Sequence, residues 1–128
     1  MANTDNIISF IADGAITEYA LVSTTTAGKV TVTTAASDAR CIGVAQRACN
    51  DGDSIEVVIS GKTRVIAGAT IASNKSLVMA ITAGKVDAQE ATSGNYAIGA
   101  ILPNITQVSS VSGDQILINF TGPKLLVP

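Results

Sequence analysis

The candidates for reactivity or metal binding are Cys41 and Cys49, the aspartates Asp51, Asp53 and Asp114, and the triplet Gly61-Lys62-Thr63. The chain has no histidine, which removes the commonest general base and the commonest transition-metal ligand and excludes Ser–His and Cys–His catalysis. Two cysteines cannot complete a four-ligand zinc site, and their spacing is unlike that of a zinc knuckle. The aspartates could hold a hard cation, but each adjoins a glycine-containing turn, where carboxylates serve as turn formers. Gly61-Lys62-Thr63 matches the end of a phosphate-binding loop. That loop also requires a glycine five residues earlier, where this chain has Glu56. Lys29, Lys62 and Lys85 each follow glycine near a turn, as a modified lysine does in swinging-arm carrier domains. In biotin and lipoyl carriers the flanks of that lysine are Met or Asp; here they are Gly with Val or Thr, so solvated turn lysines are expected. No catalytic, cofactor-binding or metal-binding residue is assigned, and no enzyme activity or cofactor is expected.

Composition narrows the partners. The chain of 128 residues fits one domain. Its apolar fraction of 47% is built from Ala, Val and Ile, with only 3% aromatics; such side chains fill a thin β core but bury little area each, which favours self-association. A net charge of −2 with 14% charged residues leaves no basic patch for nucleic acid. No apolar run is long enough to cross a bilayer as a helix, and Met1 to Asp5 lacks the features of a signal peptide, so synthesis in a cytoplasm and no membrane partner are expected. In that reducing setting Cys41 and Cys49 are expected as separate buried or half-buried thiols. On one extended strand they would stand roughly 26 Å apart.

The elements that would carry these residues repeat. Leu21-Val22 to Gly28-Lys29-Val30 returns as Leu77-Val78 to Gly84-Lys85-Val86 at a shift of 56, which also carries Ile42-Gly43 onto Ile98-Gly99. After a longer second connection the register resumes at 61, placing Gly52-Asp53 on Gly113-Asp114 and Ile55, Val57 and Ile59 on Ile116, Ile118 and Phe120. Preserved parity across several segments points to one unit written twice. Short alternating strands are expected at 7–11, 29–33, 39–48, 54–60, 77–81, 85–89, 96–102, 105–109 and 115–121, with a bulge or close backbone approach at Gly43, a strong turn at 50–53, a crossing segment at 63–67 and at most one helical turn near 67–72. The fold class is all-β, a small β-barrel or β-sandwich of two tandem units. The single β domain divides into an N-terminal arm at 1–13, a first unit at 14–66, a second unit at 67–122 and a C-terminal tail at 123–128.

The order of these features resembles that of small bacteriophage capsid cement, or head decoration, proteins: a Leu-Val strand, a Gly-Lys-Val hairpin, Ile42-Gly43-Val44-Ala45, a Gly-Asp turn, and Ile55, Val57 and Ile59 before Gly61, then a second such set. The resemblance runs from about Gly14 to Gly122 and departs at both strand entrances, where Glu18-Tyr19 and Asn74-Lys75 replace the Gly-Asp of relatives. It implies a structural virion protein on the outer capsid surface, made in the host cytoplasm, with the major capsid protein and its own copies, as a homotrimer, for partners. The other class of function open to such a chain is a β-rich carrier or binding module of a cellular complex. The candidate capsid or neighbour contacts are the apolar residues of the two ends: Ile7, Ile8, Phe10 and Ile11, and Leu125, Leu126 and Val127, where Pro123 and Pro128 discourage a sheet ladder.

Overall fold

The computed structural model describes residues 6–35, 40–68, 77–88, 96–101 and 113–125. The strands among them are β1 (Ile7–Ile11), β2 (Leu21–Thr24), β3 (Val30–Val32), β4 (Cys41–Ala45), β5 (Ser54–Val58), β6 (Gly61–Ile66), β7 (Leu77–Ala80), β8 (Val86–Ala88), β9 (Tyr96–Ile101) and β10 (Gln115–Leu125). They form two five-stranded sheets, ordered β1-β5-β4-β2-β3 and β6-β10-β9-β7-β8. Raising each label of the first order by five gives the second, so both halves of the chain follow one plan. The all-β class built from two tandem units is the observed fold.

The registers make the equivalence residue-specific. Val22 lies opposite Gly43 as Val78 lies opposite Gly99, and in both pairs the register slips at the next residue, Ser23 or Met79. Ile8 lies opposite Val57 as Thr63 lies opposite Ile118. Ala12 and Ala67 each bridge in parallel to the far edge strand, at Val30 and Val86. That link joins the two edges of each sheet and curls it toward a small barrel.

Two expectations change here. Residues 7–11 are the first strand of the first sheet, paired along their length with β5, and not part of an arm outside the unit. The second plan likewise begins at Gly61, because the segment 63–67 is an integral strand, β6, paired with β10. Both strands pair with the last strand of their own unit, between 43 (Ile11 to Ser54) and 59 (Gly61 to Phe120) residues away, a contact that no local pattern announces. The strand expected at 39–48 is also shorter. β4 ends at Ala45, and Cys49 returns to bridge Ile16. The strand expected at 105–109 and most of the helical turn near 67–72 lie outside the described residues.

Gly43 and Gly99 sit at the slips, and here a close approach does require glycine. A Cβ on Gly99 would stand 2.6 Å from the Asn119 carbonyl oxygen, and one on Gly43 would run into the Val58 carbonyl oxygen and Val57 Cγ1. An unpaired extra residue bends and twists the strand, which helps a five-stranded sheet to curl.

Side chains bury in two clusters. One is built within the first sheet from Ala12, Val22, Val30, Ile55 and Val57, with Ile16, Ala20, Ala45 and Cys49. The other contains the counterparts Ala67, Val78, Val86, Ile116 and Ile118 of the second sheet, together with Val65, Ile98 and Phe120, and it also takes in Leu21, Cys41 and Val44 from the first sheet. Strands β2 and β4 of the first sheet are therefore buried on both faces. Cys41 and Cys49 are buried, are not joined in a disulfide, and lie in different clusters.

One buried polar pair lies between β2 and the end of β3: the hydroxyls of Ser23 and Thr33 are 2.6 Å apart, and both residues are buried. Removing one partner leaves the other desolvated, so Ser23→Ala is expected to lower stability by about 1–3 kcal/mol. Ser23→Ala combined with Thr33→Val should lose less than Ser23→Ala alone, which paired denaturant titrations would measure.

Candidate functional site

The residues singled out for chemistry act locally as structure. Asp51 Oδ1 accepts a hydrogen bond from the Gly14 N–H at 2.9 Å, and Asp53 Oδ2 accepts one from the Asn50 N–H at 3.0 Å. Both carboxylates thus hold turns, with Gly52 at φ +85° completing the reversal. Gly61-Lys62-Thr63 begins strand β6 and opens no helix, so the backbone amides of a phosphate loop are not arranged there. The Thr63 hydroxyl is buried and accepts from Gln46 Nε2 at 3.0 Å. Lys29 and Lys62 are exposed, and Lys85 is half-buried. No group of three or more His, Cys, Asp or Glu side chains that could hold a metal ion occurs among the described residues.

The exposed apolar surface among the described residues gathers on β1, at one side of the first sheet. In β1, Ile7, Ile8 and Ile11 are 49%, 43% and 44% exposed, and Leu77 at 36% is the other large apolar side chain exposed among the described residues. Alternation along β1 divides its side chains. Ile8 and Phe10 lie opposite Val57 and Ile55 and face the first core cluster, against which Phe10 packs half-buried. Ile7, Ser9 and Ile11 lie opposite Val58, Glu56 and Ser54 and point to the other side. Glu56 there meets Arg47: Nε donates to Oε1 at 2.8 Å, and the same guanidinium donates to the Ser54 carbonyl. The hydrogen bond from Arg47, with its positive charge, holds the Glu56 carboxyl below its ordinary range; Arg47 is raised in return. The result is a patch in which two exposed isoleucines flank a fixed ion pair at a sheet edge. Exposed apolar side chains gathered on one strand mark a candidate contact surface.

The C-terminal candidates divide differently. Leu125 belongs to β10, whose backbone runs past Pro123 and pairs Lys124 with Ala97 and Leu125 with Tyr96. The expected end of the ladder at Pro123 is thus not observed, because the register is interrupted between Phe120 and Lys124, and an irregularity tolerates a residue that has no N–H to donate. Leu126 and Val127 lie outside the described residues. Sequence reasoning passed over Leu77. Its counterpart Leu21 is fully buried, and parity alone gives both the same place on a strand.

No family profile and no curated protein matches this chain. Among solved structures, it is similar to the crystal structure of the head fiber gp8.5 N base in bacteriophage phi29. The superposition has a TM-score of 0.65, covers 93% of this chain and 96% of that one, and carries 15% sequence identity. At that identity the likeness concerns the fold. It extends over essentially the whole of both chains, both sheets included.

Proposed function

We propose that this chain is a structural component of a phage head, a cement or decoration protein that binds the outer surface of the assembled shell and reinforces it. The observation that carries this reading is the fold shared, over 93% of the chain, with a head fiber base. Glycine and strand order resembling those of cement proteins supports it independently. On this reading the partners are the major capsid protein and further copies of the chain, arranged as a trimer, and the role is mechanical with no catalytic step.

The shell contact is the outward side of β1, where Ile7 and Ile11 flank the Arg47–Glu56 pair. Because β1 is a sheet strand, deleting residues 1–11 would uncover Ile55 and Val57 and unfold the first sheet, so a truncation would confuse folding with attachment. Point substitutions avoid this. Covering an isoleucine is worth roughly 1.5–3 kcal/mol, so the double variant Ile7→Asp/Ile11→Asp is expected to bind shells at least about tenfold more weakly while melting as a folded protein. Co-sedimentation with shells reads the effect, and undiminished occupancy by the folded variant would remove β1 from the attachment surface.

A further inference from the structure

The contact between the two units is one-sided, and both of its halves occur a second time. On the donor side, Leu21, Cys41 and Val44 of the first sheet enter the core of the second, with β4 lying against β6 and β10. On the receiving side stand Thr63, Val65 and Phe120, with Ile98 behind them. The equivalences of register place Leu77, Ala97 and Ala100 where Leu21, Cys41 and Val44 stand in the first unit. They place Ile8 and Phe10 at the positions of Thr63 and Val65, and continuing along the same strands brings Ile59 and Ile42 to those of Phe120 and Ile98.

The burial of the two sets differs in one direction. Leu21 and Val44 are fully buried, whereas Leu77 is 36% exposed and Ala100 is half-buried; Ala97 is already covered. Val65, Ile98 and Phe120 are all fully buried, whereas Phe10, Ile42 and Ile59 are only partly so, and Ile8 is 43% exposed. Among the described residues, the first unit thus has a receiving face with no counterpart of Leu21 set on it, and the second unit has a donor face that enters no core. Two of the four large apolar side chains exposed among the described residues, Ile8 and Leu77, lie on these faces.

We infer that a second copy of this chain fills both, its Leu77 face seating on the Ile8, Phe10 and Ile59 face of its neighbour in the way the first unit seats on the second. Such a contact is heterologous, each copy using one surface to give and another to receive, and it repeats until a ring closes. Three copies would bring six units into that ring, so the inference rests on the self-association proposed above and assigns its interface.

The test uses Leu77→Asp and Ile8→Asp in the full chain, with Ile59→Asp as a second receiving-face variant should Ile8→Asp fail to melt cooperatively. Native mass spectrometry and sedimentation velocity give the oligomeric state. Each variant alone is expected to lose the oligomer, with dissociation shifted at least about tenfold, because every interface contains both surfaces. Mixed in equal amounts, Leu77→Asp and the receiving-face variant should form a heterodimer and nothing larger, since one intact donor face meets one intact receiving face and both remaining ends are blocked. An oligomer that survives either variant, or a mixture that stays monomeric, would overturn this interface while leaving self-association standing. A wild-type chain that is monomeric at every concentration, free and on shells, would overturn the self-association itself.

Discussion

Phe120→Ala is expected to lower the unfolding free energy by about 3–5 kcal/mol, the range for deleting a buried aromatic ring. Phe120 is the largest fully buried side chain among the described residues. It stands on β10 opposite Gly61 of β6 and Gly99 of β9, two positions without side chains, so neither cross-strand neighbour is able to swing into the space it leaves. Its cluster also contains Leu21 and Val44 of the first sheet, so the loss weakens the joint between the units as well as the second sheet itself. Ile59 occupies the equivalent place in the first unit but is only partly buried, and Ile59→Ala should cost about 1–2 kcal/mol in the monomer. Urea titrations of both variants at low protein concentration would measure the contrast. Equal losses would mean that the two units are equally covered, contrary to the observed burial.

Gly43→Ala should cost about 2–3 kcal/mol, for a reason unrelated to cavities. The added methyl meets the Val58 carbonyl and Val57 Cγ1, and the carbonyl is backbone within the central pairing of the first sheet, with no rotamer to move aside. Gly99→Ala repeats the effect against the Asn119 carbonyl. Gly52→Ala is the control. Gly52 has φ +85° and open space around it, so its substitution incurs only the conformational cost of about 1–2 kcal/mol for a left-handed alanine. Thermal melts of the three variants should place Gly43→Ala and Gly99→Ala together and below Gly52→Ala. The reverse order would show that β4 and β5 separate easily at the slip.

The strands from Leu21 onward in each unit were legible in the sequence because they preserve residue identity and parity: Leu21-Val22 with Leu77-Val78, and Ile42-Gly43 with Ile98-Gly99. The role of Gly43 was legible too, since a glycine inside an alternating strand marks a bulge or a close backbone approach. β1 and β6 were not. They share only the Ile-Ala of Ile11-Ala12 and Ile66-Ala67, and what makes them strands is pairing with distant partners. The passage of β10 beyond Pro123 was hidden by a sound local rule, which the interrupted register overrides. Of the candidate contact surface, composition pointed to the apolar residues 7–11, but only the register divides Ile7 and Ile11 from Ile8 and Phe10, and so separates the surface proposed for the shell from the one proposed for another copy. Leu77 could not be found by pattern, because its exposure depends on which unit covers which.

The measurement that bears most directly on the proposed role is a cryo-EM reconstruction of shells, built from the major capsid protein encoded in the same genome and mixed with an excess of the purified chain. Ordered density for this all-β fold is expected at repeated positions on the outer surface, with β1 turned toward the capsid protein. Shells that remain bare at saturating concentrations of folded protein would contradict that role.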